Sequence, residues 1–413
     1  GRGAGRIPPH RLLGLARDVV AYGPSGAAVS IASAGQAKNV AIIDERGAIT
    51  FRELDELVNR FANALLGAGF RPGDSIGILA RNHRGLYVAI LAGAKLGART
   101  LLLNTDFAGP QLADVCAREG VTVLVHDGEL REIAGGYDAP LGRVIADDLV
   151  ALGDLVADAV PGRTGRNKIQ RQTIESLAAG ASTSPPPRPR RKQRIVLLTS
   201  GTTGTPKGAP RDLALSLVIP GGYLSKIPLR SGRKVVLAAP GFHAWGLLSS
   251  MLALGLGNTL ILTRRFDPNA VWDALETHRA DALITVPVLL SRLLAVGDDA
   301  IRARDLSALR IVACSGSALP PDLATHAMDL LGDVVYNLYG STEVAYATIA
   351  TPADLRAAPG TVGRPPFGTT VRLLDDAGRP VSGAGVAGRI FVGSSIQFEG
   401  DTGGGNKEIV DGL

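Results

Sequence analysis

The chain has 413 residues, of which 46% are hydrophobic and 20% charged, with 52 glycines and a formal net charge of +6. That length exceeds one small core and implies two or three packed subdomains, and the balance of residues excludes a disordered chain in favour of a glycine-rich α/β fold. The only two cysteines, Cys116 and Cys314, lie far apart and outside any paired motif, which disfavours a disulfide framework and a structural zinc site and fits a reducing cytoplasm.

The chain opens on Gly1-Arg2-Gly3, without Met and without a basic-then-apolar leader, and reads as a processed start. Thr50 and Glu53 form a capping-box pattern, after which Leu54, Leu57, Val58, Phe61, Leu65 and Leu66 recur at helical spacing until Gly67 and Gly69. Arg71-Pro72-Gly73-Asp74 is a turn, followed by a predicted strand over 75–80, a helix over 86–95 and a strand over 99–103, one βαβ unit. Another strand is expected over 121–125. Between about Gly162 and Arg194 the pattern dissolves into Arg, Ser and Pro, a candidate linker. It carries the basic run Arg188, Arg190, Arg191, Lys192 and Arg194, read as a solvated loop and, at most, a peripheral contact with anionic lipid. No aromatic residues interleave with these arginines, which disfavours nucleic acid.

Alternation resumes with a strand over 195–199. From Val235 to Thr263 no residue carries a formal charge, a length that could cross a bilayer. Pro240, Gly241, His243, Gly246 and Asn258 interrupt it, so a buried strand, loop, helix and strand are expected instead. Asp267 and Pro268 start a further helix, and strands over 281–285, 309–313 and 333–336 alternate with helices. After Gly363 the texture changes to short antiparallel strands over 369–374 and 389–393. Gly383-Ala384-Gly385-Val386-Ala387-Gly388 spells a dinucleotide fingerprint, but a strand follows where a helix is required, so it reads as a glycine-rich turn.

The segment from Leu197 to Gly208, Leu-Leu-Thr-Ser-Gly-Thr-Thr-Gly-Thr-Pro-Lys-Gly, carries the chemistry. A buried strand runs into glycines and hydroxyls that end on a lysine. Glycines let backbone amides approach an anion, hydroxyls donate further hydrogen bonds, and the lysine adds a full charge, a composition suited to polyphosphate. It is not a Walker A loop, because Pro206 precedes Lys207 and Gly208 follows it.

This segment resembles the phosphate-binding signature of the adenylate-forming superfamily, which comprises acyl-CoA synthetases, luciferases and peptide-synthetase adenylation domains. Tyr339-Gly340-Ser341-Thr342-Glu343 resembles that superfamily's Tyr-Gly-x-Thr-Glu motif, and Ser315-Gly316-Ser317-Ala318-Leu319 resembles the loop that walls its adenine pocket. The resemblance spans essentially the whole chain. It implies an α/β fold, the large N-terminal domain of such enzymes, with helix-flanked sheet subdomains over residues 1–194 and 195–362 and a small β-barrel-like subdomain over 363–413. A hinge and a mobile C-terminal domain would follow, so this chain alone is expected to bind ATP weakly and turn over slowly. The resemblance further implies that Thr199, Ser200, Gly201, Thr202, Thr203, Gly204 and Lys207 hold the phosphates of ATP. Gly316, Ser317, Ala318, Asn337, Leu338, Tyr339, Gly340 and Thr342 would line the nucleotide site, with Tyr339 stacked on adenine and Thr342 at the α-phosphate. Glu343 would hold Mg²⁺, which agrees with the preference of a hard cation for carboxylate and phosphate oxygens.

Pro240-Gly241-Phe242-His243-Ala244-Trp245-Gly246 resembles the segment lining the family's carboxylate pocket, which places His243 near the reacting carboxylate and Trp245 and Gly246 at the acyl site, with Trp245 at the position of an aromatic gate. No acidic residue falls in this segment, which argues against an amino-acid substrate, because a buried unpaired ammonium is costly. Leu247, Leu248, Met251 and Leu252 favour a medium- to long-chain fatty acid. The expected activity is an acyl-CoA ligase using ATP, Mg²⁺ and coenzyme A, with Lys207, Thr342, Glu343 and His243 catalytic. A carrier-protein-loading acyl-AMP ligase and a silent nucleotide-binding module are the alternatives.

Overall fold

The capping box at Thr50 closes in the computed structural model of the chain. Thr50 Oγ1 accepts from the Glu53 amide at 3.3 Å while the Glu53 carboxylate accepts from the Thr50 amide at 2.8 Å, satisfying two of the amides that a helix start leaves unpaired. Helix α1 (Phe51–Ala68) follows, burying Leu54, Val58, Phe61 and Leu65 along one face, and Gly69 ends it in the left-handed region at φ 108°. The structure describes residues 22–23, 27, 29–30, 32–147, 169–191, 193–199, 207–212, 218–341, 346–381, 383, 385–394, 409–410 and 413.

Two large sheets organise the molecule. The first runs β7 (Ile169–Thr173), β6 (Gly142–Ile145), β5 (Val121–His126), β3 (Ser75–Leu79), β4 (Arg99–Leu102), β8 (Arg194–Thr199), β9 (Lys207–Asp212). The second runs β15 (Thr348–Ala350), β14 (Val335–Tyr339), β13 (Ile311–Cys314), β12 (Ala282–Thr285), β10 (Lys234–Leu237), β11 (Thr259–Leu262), β1 (Val40–Asp44), β2 (Gly47–Thr50). All neighbours pair parallel except at the edges β8–β9, β14–β15 and β1–β2. The edge strand β9 tolerates Pro210, opposite Val196, because one side of an edge strand lacks ladder bonds.

Helices lie on both faces of each sheet, as strand–helix alternation demands. Between the sheets sit α1, α2 (Arg84–Leu96) and α4 (Ala244–Gly255), with α3 (Gly109–Arg118) outside the first sheet and α5 (Pro268–Thr277), α6 (Pro287–Leu294) and α7 (Pro321–Leu331) outside the second. Helix α2 is buried on every face, which explains why Arg-Gly-Leu-Tyr-Val-Ala-Ile-Leu-Ala-Gly-Ala shows no polar stripe. Its one cation near the far end, Lys95, bonds Asp55 at 2.6 Å and Asn59 at 2.7 Å on α1.

Three expectations are corrected. The division at residues 194/195 does not follow the sheets: β8 and β9 belong to the first, and β1, far upstream, pairs parallel with β11 in the second. The stretch from 169 to 191 is not a free linker. It supplies β7 and a short helix (Ile174–Ala178), and its Thr183 carbonyl accepts from Asn59 on α1. Gln193 then bonds the Ile90 carbonyl and Thr100. Strand β14 extends to Tyr339, past the expected end at 336, so Asn337, Leu338 and Tyr339 lie in the strand and not after it. The uncharged stretch is β10, α4 and β11, and among the described residues no helix is long and apolar enough to cross a membrane. After residue 363 the described residues form a two-stranded antiparallel sheet, β16 (Thr369–Leu374) with β17 (Arg389–Ser394), and the glycine-rich turn precedes β17 as expected.

Candidate active site

Because nearly all strands in each sheet are parallel, their carboxyl ends share one edge, where backbone and loop groups converge and where open α/β sheets bind ligands. In this chain the two such edges face each other. Asn82, just past β3, donates to the carbonyls of Leu237 and Ala239 past β10. Arg264, past β11, meets Asp147, past β6, at 2.5 Å. The crevice between the sheets is thus walled by loops from both.

On the second sheet, β13 and β14 pair in register, Cys314 beside Asn337, so the loops that leave them start about 5 Å apart. Gly316 takes φ 95°, a conformation that favours glycine, and its missing side chain leaves the backbone open next to Val286. Gly316, Ser317 and Ala318 are exposed, and Tyr339 at the end of β14 is 40% exposed, its ring available to a planar partner. Asn337 and Leu338 are buried beneath it, and Gly340 continues the exposed surface.

On the first sheet, Thr199 closes β8 and Lys207 opens β9, directly opposite each other in an antiparallel pair. The glycine–hydroxyl loop therefore joins two strands, in contrast to a Walker A loop, which leads into a helix. Ser200, Gly201, Thr202, Thr203 and Gly204 lie outside the described residues, as do Thr342 and Glu343. Thr199 and Lys207 are described by their backbone.

The proposed acid end is built by the turn after β10. His243 is the residue before α4, exposed at the crevice, with the Phe242 ring 4.5 Å from its own. Crowding by the surrounding walls lowers the His243 imidazole pKa, and the negative charge of Asp106, in the loop after β4, offsets part of that shift. His243 is accordingly neutral at neutral pH. Asp106→Asn is expected to lower its pKa further, since a raising charge is removed, and NMR titration of the ring reads the shift. An unchanged or raised value would contradict this placement.

Trp245 is 7% exposed, donates from Nε1 to the Thr285 carbonyl at 2.9 Å and lies against Tyr223 at 6.0 Å between centroids. The bond and the ring contact hold Trp245 as a wall in this structure. Gly246 has no room for a side chain: a Cβ there would stand 2.2 Å from the Pro240 carbonyl oxygen.

A second cluster, His83, Asp127 and Asp147, brings ligand-type atoms within 4.8 Å of one another. Its hydrogen bonds argue against a metal. The Gly85 amide donates to His83 Nδ1 at 3.1 Å, so the proton sits on Nε2 and is given to Asp127 at 2.7 Å. Arg264 already supplies the cation beside Asp147. Burial pushes the Asp127 carboxyl up, but the His83 hydrogen bond and the nearby positive charges outweigh it and hold the pKa below the ordinary range. The cluster clasps the two sheets together.

Sequence reasoning missed Asn82, Asp106 and Thr285. The signal available was position alone, since each lies at or just past the carboxyl end of a parallel strand.

The fold has counterparts among known proteins. Feruloyl-CoA synthase from Amycolatopsis sp is 33% identical over 359 residues, 86% of this chain and 66% of that protein. An amide bond synthetase, McbA, from Marinactinospora thermotolerans superposes with a TM-score of 0.75 at 25% identity, covering 91% of this chain and 72% of that one. A benzoate CoA ligase from Burkholderia xenovorans LB400 superposes with a TM-score of 0.77 at 22% identity, covering 91% and 72%. The chain spans just under two thirds of the length of the curated feruloyl-CoA synthase it matches. The family model for AMP-binding enzymes matches residues 30–400, and the chain belongs to that family.

Proposed function

We propose that the protein carrying this chain is an acid–CoA ligase that makes an acyl-adenylate from ATP and an apolar, preferentially aromatic, carboxylic acid. The observation that carries this reading is that the His243 turn, Gly316–Ala318 and Tyr339 follow the carboxyl ends of neighbouring parallel strands, β10, β13 and β14, with Trp245 bonded to Thr285 at the end of the intervening β12. The substrate carboxylate oxygen attacks the α-phosphorus of ATP and pyrophosphate leaves. The sulfur of coenzyme A then attacks the acyl carbon, the thiol proton passes to solvent and AMP leaves. Charge builds on phosphoryl oxygens in the first step, where Lys207 and the amides and hydroxyls from Thr199 to Gly204 act by electrostatic stabilisation. Mg²⁺, held by Glu343 together with phosphate oxygens, would add a further positive charge there. Neutral His243 would donate to the carboxylate without competing as a fixed cation.

The aromatic preference rests on the fixed Trp245–Tyr223 wall and on the similarity to a feruloyl-CoA synthase. If Trp245 acts as a gate for a fatty acyl chain, its opening would break the bond to Thr285. Pyrophosphate release from the full-length protein across ferulate, benzoate, octanoate and palmitate, with and without coenzyme A, decides. The aryl acids are expected to give the highest kcat/KM and to yield acyl-CoA. A rate that climbs with alkyl chain length would replace the aromatic reading with the fatty one. Acyl-AMP that coenzyme A cannot discharge would favour a carrier-protein acceptor.

A further inference from the structure

Four consecutive residues after β3 face alternately to the two sheets. The Arg81 guanidinium pairs with Glu129 and His83 bonds Asp127, both just past β5 of the first sheet. Asn82 and Arg84 turn the other way, to the loop after β10 and to Asp44 at the end of β1. The short link between β3 and α2 thus reaches both sheets.

Asn82 is 5% exposed and uses both ends of its amide. Nδ2 donates to the Leu237 carbonyl at 3.3 Å and the Ala239 carbonyl at 3.0 Å, while Oδ1 accepts from the Gly241 amide at 2.6 Å. All three partners lie on the short segment that leaves β10 and arrives at His243. The same segment is confined from other sides. A Cβ at Gly241 would stand 2.9 Å from both Leu86 Cδ2 and Tyr87 Oη, and a Cβ at Gly246 would strike the Pro240 carbonyl. The His243 amide donates back to Pro240 at 3.2 Å, which closes the turn. Three backbone groups of this turn are thus answered by one side chain from the opposite sheet, and its loss would cost the turn those bonds.

The geometry points to Asn82 as a positioning residue for the acid end of the site: it fixes the turn from Leu237 to Gly241, and through it the place of His243, without touching the acid. The kinetic consequence rests on the ligase reading above, whereas the positional claim does not. Asn82→Asp keeps an acceptor for the Gly241 amide but sets carboxylate lone pairs against two carbonyls. Asn82→Ser is too short to reach all three groups, and it carries the test if the aspartate variant does not fold.

In the full-length protein, kcat/KM for the acid is expected to fall about 100-fold, as for a reacting group misplaced by about 1 Å, with the KM for ATP unchanged. An equal loss toward acid and ATP would mean a merely structural role and overturn the assignment. In parallel, NMR of the histidine rings is expected to show His243 displaced in both variants, with the remote His278 and His326 unmoved. His243 resonances coincident with wild type would overturn it as well. Should wild-type protein release no pyrophosphate with any acid, the ligase reading falls, and the ring resonances alone decide the role of Asn82.

Discussion

Arg84→Ala is expected to lower the stability of the chain by about 3 kcal/mol at neutral pH, the low end of what breaking a buried ion pair costs. Arg84 holds Asp44 through Nε at 2.9 and 3.1 Å and through Nη2 at 2.5 Å, and Nη2 also donates to the Gly47 carbonyl at 2.6 Å. Both side chains are largely buried, 9% and 1% exposed. The alanine variant leaves Asp44 with the backbone amides of Arg46 and residue 84 and no cation. It also loosens a join between α2, which follows the first sheet's β3, and β1 of the second sheet, so the damage is not confined to one layer.

The pH dependence separates this cause from lost packing. Burial alone would raise the Asp44 carboxyl, but the Arg84 hydrogen bonds and charge reverse that and hold its pKa below the ordinary carboxylate range. A carboxyl depressed in the folded state stabilises above its unfolded pKa and loses that contribution as pH falls through the folded value. Without Arg84 the burial effect dominates, the folded pKa rises above the unfolded one, and acid relieves the variant's penalty. The difference between wild type and variant is therefore largest at pH 7 and shrinks as pH approaches 4, read from urea-unfolding midpoints. Asp44→Asn combined with Arg84→Met removes the buried charge, keeps an acceptor for one of the two amides and most of the volume, and is expected to recover part of the loss. A penalty that stays constant from pH 7 to pH 4 would show that packing, not the uncompensated carboxylate, is responsible.

Local chemistry was legible in the sequence, and long-range pairing was not. The Thr50–Glu53 capping box, the Asp267–Pro268 helix start and the βαβ unit beginning at Ser75 each depend on residues a few positions apart, and each appears in the structure. The hairpin of β1 and β2 escaped notice because Val-Ala-Ile-Ile-Asp is short and acquires its meaning from β11, more than two hundred residues downstream. The stretch before Arg194 looked like a linker because Arg, Pro and Ser carry no period, yet its carbonyls answer Asn59 and Asn63 on α1. At the site, the motifs stood out because glycines and hydroxyls recur there in short local patterns, and at Gly316 the φ of 95° favours glycine. Asn82 carries no such mark. Its importance comes from groups on another sheet, and only the fold brings them to it.

Lys207→Met in the full-length protein is expected to lower kcat by about 100- to 1,000-fold, the cost typical of removing one preorganised group that stabilises transition-state charge. The scaffold around it should survive. Lys207 opens β9, which pairs with β8 at six positions from Thr199–Lys207 to Arg194–Asp212, and a methionine there leaves all six backbone pairs available. Methionine also keeps the length of the stem, so the change is chiefly the loss of charge. ATP already bears negative charge before reaction, so its KM rises too, but a fall in kcat is the sign that the lysine interacts more strongly with the developing phosphoryl charge than with bound ATP. Lys207→Arg returns the charge with a broader, planar head, and partial recovery is expected because a guanidinium does not replace a point-like ammonium equally well. If kcat of the methionine variant stays within a few-fold of wild type while only the KM for ATP rises, Lys207 anchors the nucleotide without assisting the chemistry, and the charge at the α-phosphorus must be met by other groups at this crevice.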